Sequence, residues 1–267
     1  MEMIIIVVSK KDVASVNISR ALLTLAEWHE TGDFQHEIAY SHDSLCLINI
    51  EDLHLHHDYI DQQIRKELKI IPSVIIFSSR HTSRSQKKTL SVHPLGNYVE
   101  ALYGGKHHTL VPSAPLLMAR ALRKLYEKKR LYKLDYDVCY EVTHHGPYLS
   151  TPAFFIEIGS SALEWNNETV AKVIAEVLLE IPCCRVKNDE IAIGIGGGHY
   201  APRFTDIAIK KRLAFGHMVP SYHQDSLNES MIDQLISSTP NVNIVYFHGK
   251  STSNIKACFE KKGLRIY

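Results

Sequence analysis

Short β-branched runs alternate with amphipathic segments along almost the whole chain. Ile4–Ser9 is such a run, and the segment from Val16 to Trp28 that follows it has apolar residues at helical spacing. Further strands are predicted at Leu45–Ile50, Val74–Phe77, Val138–Val142, Ala153–Ile158, Ile191–Ile195, Ile244–Phe247 and Leu264–Tyr267. Such alternation is typical of an α/β fold. We therefore expect residues 1–267 to form a single compound α/β domain with a mixed, mostly parallel sheet flanked by helices, with room for an internal smaller lobe.

Helix boundaries can be predicted from capping residues. Ser113 and Pro115 suit the start of the clearest helix, "SAPLLMARALRKLYEKKRLY". Ser226 with Glu229 has the spacing of a capping box for a helix that runs to about Ser237. Two more helices are expected over Asn167–Glu180 and Ser253–Lys262. The segment from Ser79 to Tyr98 shows no period, which predicts a long surface loop.

Composition excludes several classes of protein. The chain is 45% apolar and 22% charged, as is usual for a soluble globular protein, and no window of about 18 uncharged apolar residues suggests a membrane span. The apolar N-terminus lacks a basic leader and a cleavage site, so it predicts a buried strand and not a signal peptide. The five cysteines are odd in number and form no CxxC motif, which favours reduced thiols in a cytoplasmic protein.

A formal net charge of +1 conceals two basic segments. Residues 80–88, "RHTSRSQKK", contain four cations and no acid. The predicted helix places Arg120, Lys124 and Lys128 on one face. Both segments suit a polyanion such as a nucleic-acid backbone, although a solvated charged face is the ordinary alternative.

Four histidine-containing segments are candidates for a site. "THHGP" contains His144 and His145, which would point to opposite faces of an extended backbone, and "SVHPLGN" contains His93. "FGHMV" places His217 inside a strand, where a hydrogen-bonded core histidine is the default interpretation. Glu157 is an acid in the apolar run "FFIEIG", which suggests a partner for histidines or zinc.

The fourth segment is the glycine-rich stretch "GIGGGHYAPRFTDIAI", residues 194–209. It matches neither a dinucleotide fingerprint nor a Walker A motif. We expect Pro202 to prevent a helix from starting directly after the glycines. Two interpretations remain open: a tight turn with incidental His199 and Arg203, or a loop whose backbone approaches a ligand closely.

The motifs taken together are more specific than each alone. "SVHPLGN", "THHGP", "EIGSSALEW", "GGGHYAPRFT" and "AFGHMVPSY" occur in this order and resemble the archaeal and plant type of D-aminoacyl-tRNA deacylase. The resemblance runs over nearly the whole chain. It implies a hydrolase that cleaves the ester between a D-amino acid and the tRNA 3′ end, an association with zinc, and a phosphorylase/hydrolase-like or peptidase-like fold.

The chemistry of that reaction suggests roles for individual residues. The predicted catalytic residues are His93, His144, His145, His199 and Arg203. The predicted substrate contacts are Gly196, Gly197, Gly198, Thr205, Arg120, Lys124 and Lys128, with Thr205 also able to cap the next segment. The predicted zinc ligands come from His144, His145, Glu157, His199 and His217. The expected partner is the 3′ acceptor end of D-aminoacyl-tRNA, and no membrane is expected to be involved. The protein is expected to be a monomer or a weak homo-oligomer. The glycine loop is a candidate for the wall that excludes L side chains.

Two other functions compete with this one. A zinc-dependent amidase or peptidase acting on small substrates would use the same histidines but would not need the basic helix. An RNA-binding protein without catalysis would need only the basic segments, which leaves the glycine and histidine motifs without a purpose.

Overall fold

The structure is a computed structural model that describes residues 2–182, 189–249 and 253–267. The strands are β1 Glu2–Ser9, β2 His29–Phe34, β3 Glu37–His42, β4 Leu45–Ile50, β5 Ile71–Thr82, β6 Thr89–His93, β7 Gly96–Asn97, β8 Thr109–Leu110, β9 Asp137–Tyr140, β10 Ala153–Ser160, β11 Glu190–Gly196, β12 Leu213–Val219, β13 Ile244–His248 and β14 Arg265–Ile266. The helices are α1 Val13–Leu25, α2 Ile60–Glu67, α3 Pro115–Leu131, α4 Ala162–Trp165, α5 Glu168–Glu180, α6 Pro202–Lys210, α7 Glu229–Ser237 and α8 Ser253–Lys261.

Two large sheets organise the described residues, and β7 and β8 form a separate two-stranded sheet. The larger has the order β2-β3-β4-β1-β5-β10-β6-β9, and the smaller has the order β12-β11-β13-β14. The smaller sheet is entirely parallel, whereas the larger is antiparallel only along β2-β3-β4 and between β10 and β6. The predicted mixed, mostly parallel α/β fold is therefore confirmed.

One hydrophobic core joins the two sheets. Helices α3 and α6 both contact β12 of the smaller sheet and β9 of the larger one. Apolar side chains from both sheets lie in one buried cluster, with Ile6 and Phe154 on one side and Ala192 and Phe215 on the other. Burying this surface is the dominant stabilising term for the fold. No helix among the described residues is long and apolar enough to cross a membrane.

The predicted surface loop over Ser79–Tyr98 is wrong for most of its length. Strand β5 continues to Thr82, strand β6 begins at Thr89, and only residues 83–88 connect them. Strand β10 lies between the two and pairs with both. The polar residues of these strands obscured the pattern because several of them face a cavity and not an apolar core.

Three predicted helix starts also differ in detail. The Ser113 hydroxyl donates to the carbonyl of Ser238, and Ala114 is the residue that precedes α3. Helix α7 is capped by the Asn228 side chain and not by Ser226. Pro202 does not prevent a helix: α6 begins at Pro202 itself, because proline lacks only a backbone N–H that the first turn leaves unbonded anyway.

The basic face of α3 is occupied by acids of α5. Lys128 Nζ lies 2.8 Å from a carboxylate oxygen of Glu176 and 2.6 Å from one of Glu180, and Lys124 Nζ lies 3.1 Å from Glu180. Arg120 donates to the carbonyl of Ile181. These cations therefore hold α3 against α5, and their role as substrate contacts stays a prediction.

The cysteines are spread through the fold. Cys46 and Cys139 are buried free thiols, and Cys258 is a half-buried one. Burial raises the pKa of Cys46 to about 12, so its thiol stays protonated. Cys183 and Cys184 lie outside the described residues.

Candidate functional site

A cluster of histidines and two buried glutamates lies where the strands of the larger sheet approach β11. We call it the His/Glu cluster: His81, His93, Glu141, His144, His145, Glu157 and His199. His81 lies near the end of β5, Glu157 on β10, and His93 at the end of β6. Glu141, His144 and His145 follow β9, and His199 follows β11. Polar groups at strand ends commonly form the sites of α/β proteins.

Glu141 is the centre of one half of the cluster. Its side chain is fully buried, and one oxygen, Oε2, lies 2.8 Å from His199 Nε2 and 3.7 Å from His144 Nε2. Its other oxygen, Oε1, lies 3.3 Å from His81 Nδ1. Burial opposes ionisation of Glu141, but the hydrogen bond from His199 and the positive charge on neighbouring imidazoles lower its pKa. Glu141 is therefore a buried carboxylate that is hydrogen-bonded to His199 and lies within 4 Å of two further imidazoles.

Glu157 forms the other half. Its Oε2 lies 3.5 Å from His81 Nδ1 and 3.7 Å from His93 Nε2. Although burial acts against the charge, these two imidazoles hold the pKa of Glu157 well below its usual range. The prediction that this acid partners histidines is supported by these contacts.

The charges of the histidines follow from these carboxylates. Burial alone would lower the pKa of His81, but Glu157 and Glu141 raise it to about 10. The same carboxylates raise the pKa of His93 against its burial. His145 lies beside protonated His93, and burial together with that charge lowers its pKa to about 4. Burial and the charge of His93 also lower the pKa of His144. The cluster thus combines cationic and neutral imidazoles.

Three imidazoles present the donors of a metal site. The Nδ1 atoms of His93, His144 and His145 lie 3.1, 2.7 and 2.7 Å from backbone carbonyl oxygens. A carbonyl can only accept, so each Nδ1 carries a proton. Nε2 therefore has a lone pair in neutral His144 and His145, and in His93 once a bound cation displaces its Nε2 proton. This is the arrangement that metal-ligating histidines ordinarily show. One donor atom from each of the three lies within 4.8 Å of the others.

The buried polar atoms of the cluster fit a cation. His93 Nε2 and Glu141 Oε1 are buried without a hydrogen-bond partner among the described residues. Two further groups also have donor atoms within 4.8 Å of one another: His81, Glu141 and His199, and His93, Glu141 and Glu157. Two carboxylates buried side by side require two positive charges, which either two imidazolium protons or one divalent ion supplies. The His/Glu cluster could therefore hold a metal ion.

His144 and His145 do not point to opposite faces. Their ring centroids lie 4.4 Å apart, and both rings contact His93. The expectation was wrong because it assumed an extended backbone, whereas His145 has φ +43° and is left-handed. The left-handed turn brings both side chains to one cavity.

Two cavities meet at His199. The first has a volume of about 450 Å³ and is lined by several members of the cluster together with Asp12, His54, Ser79, Arg80 and Tyr103. The second has a volume of about 460 Å³, and its walls include Lys87, Thr89, Gly198, Tyr200 and Thr205. His199 lines both. A group bound across this boundary would contact the half-exposed His199 ring.

The glycines of the loop after β11 have different roles. Gly196 and Gly197 have φ +105° and +80°, and a Cβ on either would approach His248 within 3 Å. Gly194 packs against the ring of Phe204. Gly198 has open space where a Cβ would be, and it lines the second cavity. Of these four glycines, only Gly198 lines a cavity and has neither a left-handed backbone nor a neighbour that a Cβ would meet.

Three predicted site residues lie apart from the cluster. His217 is fully buried and has both ring nitrogens occupied, at 3.0 Å from the Val111 carbonyl and 3.1 Å from the Thr143 hydroxyl, so the structure shows a satisfied core histidine and not a metal ligand. Arg203 is exposed on α6 and donates to the Tyr246 hydroxyl. Thr205 does not cap a helix: its hydroxyl donates to the Ala201 carbonyl and accepts from the amide of Tyr140.

Sequence reasoning missed Glu141 and His81. Glu141 was inside a predicted strand, in "CYEVTHH", where an acid among apolar residues was the same signal that drew attention to Glu157. His81 lay in the segment predicted to be a surface loop. Recognising β5 beyond Phe77 would have placed it at a strand end.

Comparisons with known proteins identify the family. A family model described as D-aminoacyl-tRNA deacylase matches residues 68–266. The chain is 38% identical over 250 residues to the D-aminoacyl-tRNA deacylase of Pyrococcus furiosus, a match that covers 93% of this chain and 91% of the relative. It is 35% identical over 270 residues to that of Thermococcus onnurineus, with 98% of both chains covered.

Solved structures extend the comparison. A crystal structure described as a conserved protein of unknown function superimposes with a TM-score of 0.92 at 30% identity, over 99% of this chain and 94% of that one. A Campylobacter jejuni methylthioadenosine/S-adenosylhomocysteine nucleosidase is a weaker match, with a TM-score of 0.42 at 13% identity over 68% of this chain and 99% of that one. From the family model and the archaeal relatives together, the chain belongs to the D-aminoacyl-tRNA deacylase family, and its activity is hydrolysis of the carboxylic ester bond in D-aminoacyl-tRNA.

Proposed function

We propose that the His/Glu cluster is the site where the D-aminoacyl ester of tRNA is hydrolysed, with His199 as the general base. The observation that carries this proposal is the position of His199, which lines both cavities and is hydrogen-bonded to a buried carboxylate. The ester joins an amino acid to the tRNA end, so a residue between two cavities can reach the reacting carbonyl. Zinc-dependent cleavage of small amides has no comparable support from the family.

Glu141 gives His199 a defined proton arrangement. Its ionised carboxylate can only accept, so His199 Nε2 carries the proton at 2.8 Å. His199 Nδ1 has no hydrogen-bond partner among the described residues and keeps its lone pair in the neutral ring. This nitrogen can accept a proton from a water molecule that attacks the ester.

His81 supplies positive charge in the first cavity. Its pKa of about 10 keeps the ring protonated at neutral pH, between Glu141 and Glu157. A fixed imidazolium next to the reacting carbonyl stabilises the negative charge that develops on the oxygen. An aminoacyl ester is already activated, so the chemistry mainly needs a placed water, a base and stabilisation of the developing charge.

We further propose zinc as the metal of the cluster, held by His93, His144 and His145. Imidazole nitrogens are donors that zinc prefers, and zinc binding would displace the Nε2 proton of His93. Zinc bound at such a site supplies a Lewis acid for polarising a carbonyl or acidifying water. The protein's own part is to fix the three Nδ1 protons on backbone carbonyls and to keep Glu141 and Glu157 ionised beside them.

Selection of the D-amino acid is assigned to the walls of the cavities and not to a contact with the side chain. A cavity wall formed by backbone close to the α-carbon of the substrate excludes an L side chain sterically, while it leaves room for many D side chains. Gly198 is the member of the glycine loop that lies open to a cavity.

Substituting His199 by alanine tests the proposal. We expect kcat/KM for D-Tyr-tRNA to fall by about 10²-fold, because a general base contributes that much or more. The protein should stay folded, since the ring is half-exposed. The matched control is His223→Ala, which removes another half-buried imidazole outside the cluster; wild-type activity in His199→Ala would remove His199 from the mechanism.

A further inference from the structure

We propose that residues 80–88, which are the end of β5 and the connection from it to β6, bind the phosphate backbone at the acceptor end of the tRNA. We call residues 80–88 the basic loop. The inference rests on the proposed function, because it takes the ester to be cleaved at the His/Glu cluster. The basic loop contains Arg80, Arg84, Lys87 and Lys88 and no acid. Phosphates dominate the affinity of proteins for nucleic acids, so four cations in nine positions suit a polyanion.

The position of the basic loop connects it to both cavities. Arg80 lines the first cavity beside His81, and Lys87 lines the second. The two cavities meet at His199. A tRNA end whose ester lies at His199 therefore places its terminal phosphates next to the basic loop.

Tyr200 fixes the basic loop against the site. Its hydroxyl oxygen lies 3.2 Å from His81 Nε2 and 3.3 Å from the Ser85 hydroxyl. Lys87 Nζ lies 5.8 Å from the centre of the Tyr200 ring. Since Tyr200 follows His199 directly, one side chain links the basic loop to the proposed base.

The charges of the basic loop are available to a ligand. Arg84 and Lys87 are exposed, and neither lies within 4.0 Å of a carboxylate among the described residues. Lys88 lies 3.4 Å from Asp135, an exposed pair that contributes little. Arg80 Cζ lies over the Trp165 ring, 5.2 Å from its centre.

The competing basic surface, the face of α3, differs in this respect. Lys124 and Lys128 are ion-paired with Glu176 and Glu180 of α5. A phosphate there would have to displace carboxylates that already neutralise the two cations. Charge complementarity therefore favours the basic loop over the helix.

The test is a double charge reversal, Arg84→Glu with Lys87→Glu, measured by hydrolysis of D-Tyr-tRNA across a salt series. We expect kcat/KM at low salt to fall at least about tenfold through KM, with kcat within about twofold of wild type. The plot of log kcat/KM against log salt should become shallower by about 1.4, since each contact with single-stranded phosphate contributes about 0.7. Both side chains are exposed, so unfolding temperature should be unchanged.

The matched control reverses the same charge elsewhere, with Lys66→Glu and Lys69→Glu. These lysines precede the first residue of β5, and the twelve-residue strand, about 40 Å long, lies between them and the substituted Arg84 and Lys87. This control should retain wild-type kcat/KM and salt dependence. If the loop variant also does, the basic loop is only a solvated charged face and the inference is wrong.

A second readout separates this inference from the proposed function. Binding of deacylated tRNA can be followed by fluorescence anisotropy, and it does not depend on cleavage of the ester. Loss of binding in the loop variant alone would support the basic loop even if wild-type protein failed to cleave the ester. Equal binding by the wild type, the loop variant and the control would overturn the basic loop whatever the activity.

Discussion

Replacing Glu141 by glutamine is expected to lower kcat for D-Tyr-tRNA by about 10³-fold, an effect comparable to removing the carboxylate that orients a catalytic histidine elsewhere. The glutamine amide is neutral, and its NH2 group is a donor that would face the N–H donor of an imidazole. His199 then loses its fixed proton arrangement, and His81 loses one of the two charges that keep it protonated. Single-turnover hydrolysis measures the change.

The control for this variant is Glu164→Gln. Glu164 is also a buried carboxylate, but its partner is the Ser161 hydroxyl at the start of α4. It should retain wild-type kcat. Activity in Glu141→Gln within about threefold of wild type, in protein with an unchanged circular dichroism spectrum, would show that Glu141 does not orient the base.

Removing bound metal is expected to lower the rate of D-Tyr-tRNA hydrolysis by about 10²-fold, with recovery on addition of zinc. The double variant His93→Asn with His144→Asn should retain little zinc when the metal content is measured by mass spectrometry. Loss of two of three imidazole donors leaves no complete ligand set of the kind zinc requires.

His217→Asn is the matched control for zinc content. Both ring nitrogens of His217 are hydrogen-bonded inside the core, one to the Thr143 hydroxyl and one to the Val111 carbonyl, so neither is available to a metal. This variant should bind as much zinc as wild type even where its stability falls. Equal zinc content in wild type and in the His93/His144 variant would place the metal elsewhere, and full activity of thoroughly chelated protein would remove it from catalysis.

Much of the fold follows from short-range patterns in the sequence. The run at Ile4–Ser9 is a central strand paired on both sides, and its uninterrupted apolar character is what two buried faces require. Glu157 was identifiable because an acid inside an apolar strand needs partners. His93, His144, His145 and His199 were identified as candidates, and the structure brings all four into one cluster.

The parts that could not be predicted depend on long-range contacts or unusual backbone. His81 is on β5 and Glu141 directly follows β9; the two segments are far apart in the sequence, and their proximity follows from the order of strands in the sheet. The shared direction of His144 and His145 depends on one left-handed residue, which spacing does not reveal. The face of α3 seemed suited to nucleic acid because nothing in its own sequence shows that acids of α5 lie against it.

The helix α6 begins at the proline that was expected to prevent it, because the effect of proline depends on its position in a helix. Proline interrupts a helix in its interior but favours the first position. The glycine loop before Pro202 therefore leads directly into a helix, and Ala201 makes the turn with φ +40°. The loop and the helix together place His199 in the His/Glu cluster, next to Glu141.

Hydrolysis of D-Tyr-tRNA and L-Tyr-tRNA, compared side by side with fully metallated protein, tests the central claim most directly. The account predicts rapid loss of the D ester, release of free D-tyrosine and intact tRNA, and an L ester that decays no faster than in buffer. If neither ester is cleaved faster than in buffer, or if both are cleaved equally, the assignment of D-aminoacyl-tRNA hydrolysis to this His/Glu cluster is contradicted.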